Sequence, residues 1–259
     1  MFDKFKESMM KEFDMTDLGR LHYFLGLEME KCIPVLTLAD PSIKLDKDLK
    51  GKDVDGTYYK HIVRSLMYLT TTRLDIMYAV SLIIRYMDKP KQSYLLVAKR
   101  ILRYLQGTTS HGLLYKKGEN SMLIGFTDRD YAGDRDDRKS TTGFVFKLES
   151  NAISWSSKKQ PIITLSTTEA KFVAATACAC QSIWLKKLLK EIYCKQTEAT
   201  PIYCDNSSAI KLSKNPVFLR RSKHIDVRYH FLRDLTRDGI IAVVYCKSED
   251  QAADIFTKP

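Results

Sequence analysis

Residues 122–156, MLIGFTDRDYAGDRDDRKSTTGFVFKLESNAISWS, decide the fold of this chain. Met122–Thr127, Thr142–Leu148 and Ala152–Ser156 are rich in the aromatic and β-branched residues that suit a pleated, half-buried surface, and Ser150-Asn151 is a hairpin turn signal. The stretch reads as a three-stranded meander. Downstream, Ala170, Val173, Ala174, Ala177, Trp184, Leu185 and Leu188 recur at helical spacing over Thr167–Ile192, behind Ser and Thr capping residues. Pro201–Cys204 reads as a strand, Ser207–Ser213 and Arg228–Arg237 as helices, Ile240–Cys246 as a final strand, and Asp250–Phe256 as helical. The resulting order is βββαβααβα, an α/β arrangement.

Upstream the periodicity changes. Tyr59–Leu69, Asp75–Met87 and Lys91–Leu105 each carry apolar residues three and four apart, so three amphipathic helices precede the sheet. The polar run Lys116-Lys117-Gly118-Glu119-Asn120 separates the two patterns, which gives a mainly helical segment over 1–118 and an α/β domain over 119–259.

Composition narrows the class. The 259 residues carry 42 Lys and Arg against 31 Asp and Glu, a net charge of +11, with a pI near 9.2. The excess is shared about evenly between the halves, which suits a polyanionic partner without singling one out. The longest uncharged stretch, Phe172–Leu185, contains Thr, Gln and Ser and falls short of the ~20 apolar residues of a membrane span. Met1–Glu7 mixes charges where a signal peptide needs an apolar core, so the expected setting is intracellular, with reduced cysteines and no membrane partner. No Cys-x-x-Cys pair is present, and Cys178-Ala179-Cys180 sits in an apolar helix, which argues against structural zinc.

Four carboxylates stand where the elements would gather them. Asp128 ends the first strand, Asp205 ends the fourth, Glu169 lies in the first turn of the long helix, and Asp254 lies in the last helical segment. With strands one and four adjacent, the two aspartates share one rim and face the helix. Such a cluster repels itself, and an all-oxygen set suits Mg²⁺ or Mn²⁺. Two such ions about 3.5–4 Å apart clamp the attacking and leaving oxygens of a phosphodiester. Neutralising Asp128 or Asp205 is then expected to relieve repulsion in the metal-free fold. Asp130, two residues on, competes with Asp128 for the first role. Asp134, Asp136 and Asp137 read as a solvated loop interleaved with Arg135 and Arg138, and Asp226 as the ion-pair partner of Arg228.

At these positions the chain resembles the ribonuclease H domain of copia-type LTR retrotransposon polyproteins. The motifs that carry the resemblance are Gly125-Phe126-Thr127-Asp128, Arg138-Lys139-Ser140-Thr141-Thr142-Gly143, Trp155-Ser156-Ser157-Lys158-Lys159-Gln160, Ser166-Thr167-Thr168-Glu169-Ala170, Tyr203-Cys204-Asp205-Asn206, Lys223-His224-Ile225-Asp226 and Gln251-Ala252-Ala253-Asp254. The likeness runs from about Met122 to Pro259. Met15-Thr16-Asp17-Leu18-Gly19, His22–Glu28 and the helices from Met67 to Leu105 resemble the end of the reverse transcriptase and its connection to ribonuclease H.

The resemblance implies an RNase H-like mixed five-stranded sheet with flanking helices. It implies a two-metal endonuclease that uses Mg²⁺ or Mn²⁺ to cut the RNA strand of an RNA/DNA hybrid, with Asp128, Glu169, Asp205 and Asp254 as metal ligands and catalytic residues. It also implies possible association with a reverse transcriptase portion. The only Asp-Asp pair, Asp136-Asp137, lies in a charged loop, so polymerase activity is not expected. A helix confined to Asp250–Pro259 is expected to fray and to hold the fourth ligand loosely. Lys158 and Lys159, close in sequence to the helix of Glu169, are the first candidates for phosphate contacts, with Arg220, Arg221, Lys223 and His224. Lys186, Lys187 and Lys190 are weaker ones. Trp155 and Trp184 read as core. The alternative function is an inactive or weak nucleic-acid-binding remnant of a truncated retroelement polyprotein, and an integrase reading ranks below both for lack of a zinc-binding pattern.

Overall fold

The computed structural model describes residues 35–38, 45–113, 115, 122–214 and 226–258, together with a short antiparallel backbone pairing of Tyr23–Phe24 with Leu27–Glu28. The first 20 residues and Lys31–Pro34, the run at 116–121 where the sequence places the boundary, and 215–225 lie outside the described residues.

Helix α1 (Gly56–Leu69) begins where Asp55 Oδ1 accepts the backbone N–H groups of Thr57 and Tyr58 at 2.8 and 3.3 Å. A 3₁₀ turn at Leu74–Ile76 leads into α2 (Met77–Ile84), and α3 is Gln92–Gly107. The helix expected over Asp75–Met87 is therefore shorter. Tyr59, Ile62, Leu66, Ile76, Val80, Ile83, Tyr94, Ala98 and Ile101 form the first core, and the Tyr59 hydroxyl donates to the Ile83 carbonyl at 2.9 Å.

The sheet follows. Strands β1 (Leu123–Arg129), β2 (Thr141–Leu148) and β3 (Asn151–Lys159) form the expected antiparallel meander. Its hairpin loop is Glu149-Ser150, one residue earlier than the sequence suggests, because Asn151 already pairs with Leu148 and Glu149 takes the left-handed conformation at φ +57°. Helix α4 (Thr167–Glu191) crosses the sheet, and β4 (Thr200–Cys204) joins β1 in parallel. Helices α5 (Ser207–Lys214) and α6 (Asp226–Arg237) lead to β5 (Ile241–Tyr245), parallel to β4. The spatial order is β3-β2-β1-β4-β5, the RNase H-like mixed sheet the motifs imply. Leu123, Phe146, Phe172, Cys178, Ile202, Leu232 and Val243 lie in its core.

The helical segment rests on the sheet. Leu74 and Met77 pack with Val145, Ala253 and Phe256, and Trp155 Nε1 donates to the Thr70 carbonyl at 2.9 Å. Asp134 is part of this joint and is not solvated as the sequence suggests. Its carboxylate, 2% exposed, meets Arg85 at 3.0 Å and Lys159 at 2.8 Å and accepts the N–H groups of Asp136 and Asp137. Trp184, read as core, is 54% exposed.

The C-terminal end differs from the expected fraying helix. It forms two 3₁₀ turns, Ser248–Asp250 and Asp254–Phe256, held by burial of Ala253 and Phe256 and by Gln251 Nε2 donating to the Thr127 carbonyl at 3.1 Å. Gly143 permits this docking, since a Cβ there would come within 2.7 Å of both Phe256 Cβ and Thr257 Cγ2. Among the described residues no helix is long and apolar enough to cross a membrane.

Candidate carboxylate site

Strand register brings the first two aspartates together. Phe126 pairs with Tyr203 in the parallel β1 and β4, so two residues further on Asp128 stands level with Asp205 at the same rim of the sheet. The Asp128 side chain is 1% exposed and that of Asp205 15%. Two carboxylates this close and this dry need a cation or a shared proton.

The cation is an ammonium. Lys171, on the second turn of α4 and with its side chain 7% exposed, donates from Nζ to Asp128 Oδ1 at 2.5 Å and to Asp205 Oδ1. Thr257 Oγ1 donates to the other oxygen of Asp128 at 2.5 Å, and Ser248 Oγ to Asp205 Oδ2 at 3.5 Å. Burial alone would raise the Asp128 pKa, but the charge and hydrogen bond of Lys171 outweigh it and hold the carboxyl below its ordinary value. Burial likewise opposes the Lys171 charge, and Asp128 and Asp205 reverse that, so its pKa is raised.

Asp254 lies beside this pair. Burial and the neighbouring Asp128 push its carboxyl above the ordinary value, against the pull of Lys258, whose Nζ donates to it at 2.8 and 2.9 Å. Three aspartates therefore meet two lysines.

Glu169 is placed elsewhere. Ser166 Oγ caps the Glu169 N–H at 3.1 Å, and Glu169 Oε2 accepts the Leu165 N–H at 2.9 Å, a reciprocal capping arrangement at the start of α4. Its charge also acts on Tyr229 of α6, whose pKa is raised first by burial and then by Glu169. Two residues of an α-helix lie roughly 200° apart around the axis, so positions 169 and 171 cannot both face the sheet rim. Position 171 does.

The donor set decides whether a divalent ion fits. Mg²⁺ binds through free carboxylate oxygens and keeps several waters. Here one oxygen of each strand-end aspartate holds Lys171, and Thr257 holds the other oxygen of Asp128. Among the described residues no three His, Cys, Asp or Glu side chains come together as a metal-binding set. The site as it stands does not fit Mg²⁺ or Mn²⁺.

Comparison with known proteins places the chain. It is 39% identical, over 98% of its length, to the retrovirus-related Pol polyprotein from transposon RE1 of Arabidopsis thaliana, and 38% identical over the same share to that from transposon TNT 1-94 of Nicotiana tabacum. The chain belongs to the transposon retrovirus-related Pol polyproteins. It spans about a fifth of the length of these relatives, 19% and 22%. No family model matches it. Among solved structures, LC11-RNase H1, isolated from compost, aligns with a TM-score of 0.39 and 14% identity, covering 52% of this chain and 92% of that one.

The other candidate residues of this Pol chain divide by their surroundings. Lys158 is exposed at the end of β3, whereas Lys159 is held by Asp134 at 2.8 Å and Asp137 at 2.9 Å. Arg220, Arg221, Lys223 and His224 lie outside the described residues, as does the Asp226 side chain. Asp130 turns to the Thr141 N–H at the start of β2. Lys186 donates to the carbonyls of Glu198 and Ile240 at 2.8 and 3.3 Å.

Lys171, Thr257 and Ser248 escape a search for carboxylates. One signal for Lys171 is present in the sequence: it precedes Ala174, Ala175 and Cys178 by three, four and seven residues, the spacing of one buried helical stripe.

Proposed function

We propose that residues 122–258 act as an RNase H-type module that engages RNA/DNA hybrids and, in this chain, does so without metal-dependent cleavage. Membership of the Pol polyproteins and the RNase H-like sheet support the hybrid as ligand. The +11 net charge is consistent with a polyanion. The single observation that carries the cleavage-silent part is Lys171, which bridges Asp128 and Asp205 from inside the fold. Lys158, Arg220, Arg221, Lys223 and His224 are proposed phosphate contacts.

One observation favours the alternative of a metal-dependent nuclease: Asp128 and Asp205 stand level at one rim and Asp254 lies beside Asp128. That alternative requires Lys171 to leave the two carboxylates it bridges in a dry site.

Both readings are separated by one preparation of the chain, assayed with a labelled RNA/DNA hybrid in Mg²⁺ or Mn²⁺ and with duplex DNA as control. The expected result is salt-sensitive retention of the hybrid with the RNA strand intact. Metal-dependent cuts in the RNA strand would reject the cleavage-silent reading, and equal retention of duplex DNA would reject the hybrid as preferred ligand.

A further inference from the structure

We infer that Lys171 is the resident cation of the carboxylate site, that the site in this chain excludes divalent ions, and that exchanging this one ammonium for a carboxylate converts it into a divalent-cation site. The inference rests on Asp128 and Asp205 forming the working rim of the RNase H-type module, and it concerns what that rim binds.

The electrostatics are local. Asp128, Asp205 and Asp254 contribute three negative charges, Lys171 and Lys258 return two positive ones, and the half-buried Arg129 guanidinium adds a third that acts on Asp128 and Asp205 without an ion pair to either. Lys171 sits between the two aspartates, while Lys258 is more than half exposed and touches only Asp254 among them. A divalent ion entering between Asp128 and Asp205 would need the oxygens the ammonium already holds.

The ammonium has two advantages in that competition. It is tethered, so its local concentration is fixed by the helix and does not depend on the solution. It has also lost its hydration on folding, whereas Mg²⁺ dehydrates reluctantly. The helix gives it little room to withdraw, because Ala170 and Phe172 on either side are fully buried and Ser166 caps the turn below. Expelled, it would be a buried charge without its partners.

Replacement of the ammonium reverses the balance. A carboxylate at position 171 would place a third acid between Asp128 and Asp205, with Asp254 beside Asp128, and would remove the one ammonium that bridges the strand-end acids, leaving Arg129 as a more distant counter-charge. Carboxylates in that arrangement bind hard divalent ions.

The test reads metal binding without nucleic acid, so it stands apart from hybrid affinity. Mn²⁺ is titrated into the full chain, into Lys171→Glu, and into Lys171→Glu combined with Asp128→Asn, following the free Mn²⁺ signal by electron paramagnetic resonance. The wild-type chain is expected to leave the signal unchanged, Lys171→Glu to remove one or two equivalents, and the double variant to lose that uptake.

Because Lys171→Glu sets a third acid against Asp128 and Asp205 when metal is absent, it is refolded in Mn²⁺, and Lys171→Gln is unfolded thermally with chelator and with Mn²⁺. This neutral variant should melt below wild type in chelator and recover in Mn²⁺. Uptake by the wild type equal to that of Lys171→Glu overturns the inference. So does a folded Lys171→Glu that binds nothing, or a Lys171→Gln that melts like wild type in chelator.

Discussion

Lys171 Nζ stands 2.5 Å from Asp128 Oδ1 at the rim of the sheet, and the same nitrogen binds Asp205, so an internal ammonium closes the place where the sequence gathers its acids. The acids arrive there by strand register. The ammonium arrives by helical phase, from a residue that a search for carboxylates passes over.

That pairing reverses the expected effect of removing a charge. If Asp128 and Asp205 only repelled each other, Asp128→Asn would stabilise the metal-free fold. With Lys171 between them, loss of Asp128 deprives a buried ammonium of one partner and leaves Asp205 as the other. Breaking a buried pair typically costs about 3–5 kcal/mol, and the surviving partner places Asp128→Asn toward or below the lower end of that range. Urea unfolding of the two proteins checks it, and a variant at least as stable as wild type would show that repulsion dominates.

Gly143 is predicted to control the C-terminal turn. In Gly143→Ala the new methyl would meet Phe256, Thr257 and the Ala253 carbonyl, at 2.7, 2.7 and 3.1 Å. Overpacking of this kind costs roughly 1–3 kcal/mol. The turn should lift, detaching Thr257 from Asp128, and limited proteolysis should cut near residue 250 sooner than in wild type. Unchanged cutting and unchanged stability would mean that the turn tolerates the methyl.

The joint between the helices and the sheet is predicted to be acid-sensitive through Asp134. Burial raises its pKa, but the hydrogen bond from Lys159 and those from the Asp137 and Asp136 backbones prevail, bringing it down to about 2 from 3.8. A depressed carboxylate pKa stabilises the fold above the unfolded-state value and loses that contribution as pH falls toward the folded one. The stability advantage of wild type over Asp134→Asn should therefore be constant above pH 4, at about 1–2 kcal/mol, and shrink between pH 3.8 and about 2. Denaturant titrations at several pH values measure it.

Lys158 and Lys159 should separate in function although they are neighbours. Lys159 is engaged by Asp134 and Asp137, so Lys159→Met is expected to lower stability with little effect on hybrid affinity. Lys158 is exposed, and Lys158→Met is expected to weaken hybrid binding and reduce the salt slope by about 1, at unchanged stability. Fluorescence anisotropy at several salt concentrations distinguishes the two. The reverse pattern would move the phosphate contact to Lys159.

Legibility of the sequence follows the range of the forces involved. The meander, the long helix and the level placement of Asp128 and Asp205 depend on alternation, periodicity and strand ends, which are local, and all three are readable. The Ser166/Glu169 cap is also local, yet an acid in the first turn of a helix facing a sheet rim reads equally well as a ligand, and only the helical phase separates the two. Lys171 is hidden because a lysine in an amphipathic helix is ordinarily a surface residue. Asp134 and the C-terminal turn depend on partners far along the chain, Arg85 and Gly143, that no local pattern links to them.

The most direct measurement is the ammonium itself. In a ¹H–¹⁵N spectrum of the lysine side chains, a buried, hydrogen-bonded Lys171 ammonium gives a slowly exchanging resonance that is absent from Lys171→Gln. The resonance is predicted to persist unshifted when millimolar Mg²⁺ is added. Its disappearance or displacement by Mg²⁺ at wild-type stability would show the metal taking the carboxylates from the lysine, and would contradict the resident-cation account.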